Sequence, residues 1–184
     1  MCGIFGIYSK KFEKNKLSKI SAASLEMINH RGPDEKNIIT HENFSAGVKR
    51  LSIESIKFGK QPIENERYIL GFNGELFNYK NLIKKYNFSE KNVRSEIQLI
   101  LNLWMLRKEK FVNEIKGQYA IFIYDKKKEE IYLFRDPFGI RPVYYYLGKN
   151  TFIFSSEIKS IVKTKIQNFS IDSNSLNQIC LFWT

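Results

Sequence analysis

The sequence is poor in the residues that build disulfide frameworks and metal sites. Its 184 residues include two cysteines, Cys2 and Cys180, near opposite ends of the chain. Two cysteines do not make the framework of a secreted disulfide-rich domain, and because no export signal is present we expect a cytoplasmic location. The two histidines, His30 and His41, have no spacing to cysteine or carboxylate residues that matches a metal site. We therefore expect no bound metal in this chain.

Long apolar stretches are also missing. No run approaches the roughly 20 apolar residues that span a bilayer. The apolar N-terminal stretch 2–8 contains two glycines and follows no basic region, so we expect neither a signal peptide nor a membrane partner. Only four prolines and ten glycines occur, while 43% of the residues are hydrophobic. This composition excludes a disordered or collagenous chain, and the length fits one domain.

Arginine is scarce although the formal net charge is +11. Lysine supplies most of the positive charge and is scattered in polar stretches such as Lys10-Lys11, Lys84-Lys85 and 126–128. Protein surfaces that read nucleic-acid sequence favour arginine within a recognisable module, and this sequence contains no such module. The Gly-rich motifs that cradle phosphates are absent as well. We therefore expect no nucleic-acid partner, and no nucleotide site in this chain.

Blocks of strands flank a central block of helices, which predicts an α+β fold with antiparallel hairpins. Ser95 is predicted to be the N-cap of the helix 95–106, and Asn73-Gly74 favours a tight turn. The predicted strands are 2–8, 38–40, 44–51, 68–72, 118–124, 131–134, 143–147 and 151–155, and the predicted helices are 17–29, 78–86 and 95–106.

Cys2 stands out because removal of the initiator Met1 would place a thiol and a free α-amine on one residue. The α-amine has a pKa of about 7.7 to 8, so at neutral pH part of it is unprotonated and can accept the thiol proton. Nucleophile and base would then share a residue, without a catalytic histidine. The alternative interpretation is that Cys2 is a small buried hydrophobic residue in a strand.

Seven short motifs occur in one order over residues 1 to 160. The motifs are Met1-Cys2-Gly3-Ile4-Phe5-Gly6, His30-Arg31-Gly32-Pro33-Asp34, Arg50-Leu51-Ser52-Ile53, Gln61-Pro62, Phe72-Asn73-Gly74-Glu75-Leu76-Phe77-Asn78, Arg135-Asp136-Pro137-Phe138-Gly139-Ile140-Arg141-Pro142 and Ser156-Glu157-Ile158-Lys159. Together they resemble the class II glutamine amidotransferase domain, specifically that of glutamine-hydrolysing asparagine synthetases. The resemblance implies an N-terminal-nucleophile hydrolase fold, a four-layer αββα sandwich with two antiparallel sheets.

The resemblance also implies a catalytic set. Cys2 would attack the side-chain amide of L-glutamine, forming a thioester that water hydrolyses to glutamate, with ammonia as the second product. The Asn73 side-chain amide and the Gly74 backbone N–H match the oxyanion hole of the family, which stabilises the negative oxygen of the tetrahedral intermediate. Without the neighbouring motifs, Asn73-Gly74 would be interpreted as an ordinary hairpin turn.

The remaining glutamine contacts follow from the same resemblance. Arg50 matches the clamp for the substrate carboxylate. Leu51, Ile53 and Glu54 would line the pocket, mainly through backbone and shape, while Glu75 and Glu96 would face the substrate ammonium. The family usually has aspartate where Glu96 stands, so its carboxylate is expected to shift by up to about 1.5 Å, one C–C bond length. Gln98 replaces an expected charged residue.

The domain organisation is inferred from the extent of the resemblance. We expect residues 1–170 to form the glutaminase domain, and 171–184 to begin a linker towards a C-terminal synthetase domain. ATP and Mg²⁺ are expected only in that domain, where aspartate would accept the ammonia in asparagine biosynthesis. Two alternatives stay open, an amidotransferase with another acceptor such as a surface sugar, and a non-catalytic glutamine-binding module. A homodimer is also left open, and 135–142 is expected to have a structural or coupling role.

Overall fold

The structure is a computed structural model that describes residues 1–52, 58–89, 91 and 93–182. Two 3-10 helices, Asn29–Arg31 and Lys108–Asn113, accompany the regular elements. In chain order these are β1 Gly3–Ser9, α1 Lys14–Glu26, β2 Glu35–His41, β3 Phe44–Arg50, β4 Ile63–Glu64, β5 Tyr68–Leu76, α2 Tyr79–Lys85, α3 Glu96–Arg107, β6 Gly117–Asp125, β7 Glu130–Arg135, β8 Tyr144–Gly148, β9 Thr151–Ser155, α4 Ile158–Lys163 and α5 Ser173–Phe182.

Two antiparallel sheets form the centre of the fold. The five-stranded sheet has the order β2-β3-β1-β9-β8, so the N-terminal strand lies in its middle. The four-stranded sheet has the order β4-β5-β6-β7. Strands β5 and β6 pair over their whole length, with Asn73 opposite Ala120 and Gly74 opposite Tyr119. The hairpins β6-β7 and β8-β9 therefore belong to different sheets.

The strand side chains alternate between two apolar layers, as the period of a β-strand requires. In β1, Ile4 faces the other sheet, whereas Phe5 and Ile7 face α1 and α4. In β6, Phe122 and Tyr124 enter the layer between the sheets. Ile121 and Ile123, which alternate with these residues along β6, pack against α3 on the opposite face of the four-stranded sheet. The fold thus has four layers, in the order helices, sheet, sheet and helices, with an apolar layer between each pair of neighbours. This order confirms the predicted αββα sandwich.

The predicted strands and helices are confirmed, with shifts at their ends. The first helix begins and ends three residues earlier than predicted, at Lys14 and Glu26. The predicted turn at Asn73-Gly74 is wrong, because β5 continues through both residues to Leu76. The Asn-Gly signal is local, whereas pairing with β6 along the entire segment decides the conformation.

The predicted N-cap residue of α3 is confirmed in position. Ser95 occupies the N-cap position with an extended backbone, but its hydroxyl makes no capping bond. The side chain of Gln98 accepts a hydrogen bond from the Arg94 backbone N–H at 2.8 Å instead. A residue three positions into the helix therefore satisfies a backbone donor at the helix start.

Helix α5 is exposed along its described length, including Ile179 and Leu181. Within the described ranges, none of the helices has the length and apolar character needed to cross a bilayer.

Candidate functional site

A cavity of about 290 Å³ opens where the start of β1 meets the C-terminal half of β5. This volume lies at the small end of the range of ligand sites in proteins, which suits a molecule of amino-acid size. Of the predicted site residues, Ile53 and Glu54 lie outside the described residues, and all the others line this cavity. The lining consists of Met1, Cys2, Arg50, Leu51, Gly59, Gln61, Phe72, Asn73, Gly74, Glu75, Ser95, Glu96, Ile97 and Arg141.

Cys2 reaches the cavity from the position just before β1. Its thiol is partly buried and lies 3.9 Å from the Leu51 carbonyl oxygen, which can accept a weak hydrogen bond from it. The Cys2 carbonyl accepts a hydrogen bond from Arg31 Nε at 3.1 Å. Met1 is 54% exposed beside the same cavity. Cys2 is therefore neither sealed in the core nor remote from the other predicted site residues.

Asn73 and Gly74 lie side by side in β5 and contribute polar groups to the cavity wall. Asn73 is 1% exposed, and its Nδ2 has no hydrogen-bond partner among the residues that the structure describes. A buried amide donor without a partner is costly, which favours a ligand oxygen at this place. At Gly74, an added Cβ would lie 2.1 Å from the Gln118 carbonyl oxygen. Glycine is therefore required by the close approach of β6 and not by a turn.

Arg50 ends β3 and carries a positive charge into the cavity. Its guanidinium is 4% exposed and donates a hydrogen bond to Glu35 Oε1 at 2.8 Å. Glu35 is directly opposite Arg50 in the pairing of β2 with β3, so the ion pair follows from the strand register. The Asp34 carboxylate accepts a hydrogen bond from the Ser52 N–H at 2.7 Å, which ties the segment after β3 to the start of β2.

Two carboxylates supply the negative charge of the cavity. Glu75 is exposed near the end of β5, and Gln118 Nε2 lies 3.5 Å from its carboxylate. Glu96 begins α3, and its carboxylate accepts a hydrogen bond from the Leu76 backbone N–H. The longer side chain of glutamate thus reaches the end of β5. Gln98 is not among the lining residues, because its side chain is used at the start of α3.

The structure adds lining residues to which sequence reasoning gave no substrate contact. The hydroxyl of Ser95 is buried beside the cavity without a partner among the described residues, and so is Arg141 Nε. Gln61 Oε1 accepts a hydrogen bond from the Phe72 N–H at 2.8 Å and so fixes β5 from the cavity side. The signal for Gln61 and Arg141 was their place in two of the seven motifs. The segment 135–142, for which a structural or coupling role is expected, thus also contributes Arg141 to the cavity lining.

Asp136 explains how Arg141 reaches the cavity. The Asp136 carboxylate is buried and accepts hydrogen bonds from the backbone N–H groups of Ile140 and Arg141, both at 2.9 Å. Burial by itself raises the pKa of Asp136, but these bonds, together with one from the Tyr119 N–H, lower the pKa below its usual value. The ionised carboxylate thus holds the loop in the conformation that brings Arg141 to the site.

The charges of the cavity suit a zwitterion. Arg50 and Arg141 can face a carboxylate, and Glu75 and Glu96 can face an ammonium group, while Asn73 offers an amide donor. Within the described ranges, no group of three or more His, Cys, Asp or Glu side chains is placed to bind a metal ion. The arrangement fits an α-amino acid whose side chain carries an oxygen.

Comparison with known sequences gives matches over nearly the whole chain. The family described as "Glutamine amidotransferase domain" matches residues 1–183. Asparagine synthetase [glutamine-hydrolyzing] 1 of Bacillus subtilis (strain 168) is 33% identical over 99% of this chain and 30% of that protein. Asparagine synthetase B [glutamine-hydrolyzing] of Escherichia coli (strain K12) is 30% identical over 88% of this chain and 30% of that protein. The chain thus spans about a third of the length of these relatives.

Solved structures share the fold at lower sequence identity. The glutamine phosphoribosylpyrophosphate amidotransferase from B. subtilis, solved with ADP and GMP, superposes with a TM-score of 0.74. That match covers 89% of this chain and 44% of the other, at 19% identity. A second structure, described as the allosteric regulatory enzyme of purine biosynthesis, gives a TM-score of 0.72 at 18% identity, covering 89% of this chain and 43% of the other. These likenesses establish the αββα architecture.

Proposed function

This chain belongs to the glutamine amidotransferase domain family, and on that basis we propose that it hydrolyses L-glutamine to L-glutamate and ammonia with Cys2 as the nucleophile. The observation that carries the proposal is the convergence, in one cavity, of the Cys2 thiol, the unpartnered Asn73 amide and charged groups of both signs. A nucleophile, an anion site and a zwitterion clamp are the parts that this reaction needs.

The proposed reaction has two steps. The thiol of Cys2 gives its proton to the α-amine and attacks the side-chain amide carbon. The α-ammonium then passes this proton to the amide nitrogen, and the C–N bond breaks to release ammonia and leave a thioester. Water next attacks the thioester, which releases glutamate and restores the thiol. The α-amine is the base, so Met1 must first be removed, because a peptide nitrogen does not accept a proton at neutral pH.

The remaining residues act on charge and orientation. The Asn73 side-chain amide and the Gly74 backbone N–H would donate to the oxygen that becomes negative in each tetrahedral intermediate. Arg50 would bind the α-carboxylate of glutamine, and Glu75 and Glu96 would face its ammonium. Fixing both ends of the substrate places the amide carbon against the thiol, which contributes to the rate by orientation.

The ammonia is proposed to pass to a synthetase domain, where ATP and Mg²⁺ would activate aspartate. The matched relatives, which are about three times longer than this chain, support this. The segment 135–142 also supports it, because Phe138 is 88% exposed while Arg141 lines the cavity. Contiguous exposed apolar patches mark interaction surfaces, and Ile140 in the same segment is 54% exposed. One segment thus links the pocket to a surface available for another domain.

The test is glutamate release from glutamine by protein whose intact mass shows that Met1 is absent. Cys2→Ala is expected to reduce release to background, whereas Cys180→Ala is expected to retain it, because Cys180 lies on the exposed helix α5. Protein that retains Met1 should also be inactive. Equal release by the processed wild type and Cys2→Ala would refute the proposal and favour the binding module, which would still bind glutamine in calorimetry.

A further inference from the structure

The Ser156-Glu157 corner, where β9 turns into α4, has no role in the reaction described so far. The pairing of β9 with β1 ends where Ser155 stands opposite Phe5. Ser156 continues the contact beyond the ladder, since its N–H donates to the Ile4 carbonyl and its Oγ accepts from the Ile4 N–H, both at 3.0 Å. This corner therefore binds the backbone of β1 two residues after Cys2.

Glu157 reaches Cys2 itself through Arg31. Arg31 Nη1 donates to Glu157 Oε1 at 3.1 Å, and Arg31 Nε donates to the Cys2 carbonyl at 3.1 Å. The three residues thus form a chain of contacts that joins the corner to the nucleophile. Cys2 precedes the first residue of β1, so Arg31 holds a carbonyl just outside the strand.

The Arg31 guanidinium depends on this carboxylate. The Arg31 side chain is 9% exposed, and a charge so far removed from water needs a counterion. Glu157 also accepts hydrogen bonds from His30 and Lys159. Burial by itself raises the pKa of Glu157, but the bonds from Lys159, Arg31 and His30 outweigh burial and lower the pKa to about 2. The carboxylate is therefore ionised at neutral pH and available to orient Arg31.

The orientation of the Cys2 carbonyl matters because it fixes the peptide plane between Cys2 and Gly3. The proposed base and the proposed nucleophile both belong to Cys2, whose thiol makes a weak 3.9 Å contact with the Leu51 carbonyl. Rotation about the Cα–C bond of Cys2 would move both groups relative to Asn73. A misplacement of about 1 Å lowers rates by as much as 10²-fold.

We propose that Glu157 is a positioning residue for the Cys2 nucleophile, acting through the Arg31 guanidinium that holds the Cys2 carbonyl. The inference rests on the proposed glutaminase function. It assigns a part in the reaction to Ser156-Glu157 and to His30-Arg31, two segments in which Glu157 and Arg31 lie 126 positions apart in the chain.

The test compares Glu157→Gln with the matched variant Lys159→Gln. Lys159 contacts Glu157 Oε2 and not Oε1, to which Arg31 is bonded. Glu157→Gln is expected to lower kcat about tenfold or more with KM for glutamine nearly unchanged, because the substrate clamp is elsewhere. Lys159→Gln is expected to keep wild-type kcat. All assays are run below the melting temperature of each variant, so that loss of folded protein does not imitate the effect.

A double-mutant cycle separates positioning from a merely structural role. If Glu157 acts through Arg31, then adding Glu157→Gln to Arg31→Met should lower kcat by less than about twofold more, since the pathway is already broken. Losses that multiply would overturn the proposal, and so would wild-type kcat in Glu157→Gln.

Amide hydrogen exchange gives a readout that does not depend on turnover. Exchange in residues 1–8 should rise in Glu157→Gln and not in Lys159→Gln, because the start of β1 loses an anchor. Unchanged exchange in Glu157→Gln would overturn the positioning role even in a protein that hydrolyses glutamine. Faster exchange in a protein whose wild type releases no glutamate would instead refute the proposed function and leave the anchor standing.

Discussion

Asn73→Ala should separate activity from stability. Asn73 Nδ2 is buried beside the cavity with no hydrogen-bond partner among the described residues, so its removal breaks no hydrogen bond of that donor in the unliganded protein. Leaving an amide donor unpaired in the interior costs about 1–3 kcal/mol. Asn73→Ala removes this unfavourable free energy, which offsets the favourable packing energy that is lost with the side chain. We therefore expect the free energy of unfolding to change by less than about 1 kcal/mol.

The effect on catalysis should be much larger. If Asn73 donates to the developing oxyanion, removing one such donor lowers kcat by about 10²- to 10³-fold, which corresponds to about 2.7–4 kcal/mol in the transition state. KM should change little, because the ground-state amide makes weaker use of this donor. Glutamate release by the processed protein gives both constants, and urea denaturation gives the stability.

Asn78 is the matched control from the same motif. Its Nδ2 donates to the Glu114 carbonyl at 2.8 Å, and its Oδ1 accepts from the Lys116 N–H at 2.9 Å. Because both atoms are used and Asn78 does not line the cavity, Asn78→Ala should cost about 1–3 kcal/mol of stability at unchanged kcat. An Asn73→Ala protein that retains kcat, or that loses as much stability as Asn78→Ala, would refute the reasoning.

Three further outcomes are expected. Gly74→Ala should lower glutamate release by about 10²-fold or more and lower the melting temperature, because its Cβ would lie 2.1 Å from Gln118 O and β5 must shift. Arg50→Lys should raise KM for glutamine more than it lowers kcat in steady-state assays, because an ammonium cannot make the paired contacts of a guanidinium. The folded-state pKa of Glu157, about 2, lies below its ordinary value of 4.5, so the stabilisation from the ionised carboxylate is present above pH 4.5 and is lost as the pH falls towards 2. The unfolding free energies of wild type and Glu157→Gln, from urea denaturation, should therefore differ by up to about 3 kcal/mol near neutral pH and converge in acid.

The strands could be predicted from the sequence because their signal is local. Runs of β-branched and aromatic residues mark β6, β7, β8 and β9 in the sequence itself. The assignment of strands to sheets could not be predicted, since β7 and β8 follow one another in the chain yet belong to different sheets. The error at Asn73-Gly74 has the same origin. The turn signal spans two residues, whereas the strand that pairs with them lies about 45 positions away in the chain.

The candidate site also combines residues that the sequence indicates with contacts that only the fold shows. The sequence motifs indicate Cys2, Arg50 and Asn73 as site residues, and all three line one cavity in the structure. The contacts that hold these residues in place could not be predicted from the motifs, because they depend on how distant segments meet in the fold. Glu35 orients Arg50 only through the register of β2 and β3, and Glu157 contacts Arg31 only after the two ends of the domain meet.

The spacing between the thiol and the Asn73 amide is set by the layer between the two sheets. Cys2 precedes β1 in one sheet, and Asn73 belongs to β5 in the other. Between the sheets, the rings of Phe122 and Phe154 lie 5.1 Å apart. Close-packed interiors resist small changes in volume, so this layer acts as a rigid spacer. A truncation such as Phe154→Leu would open space between the sheets and move the nucleophile relative to the oxyanion donors. The core and the site are therefore coupled, because the proposed chemistry needs groups from both sheets to meet at one substrate atom.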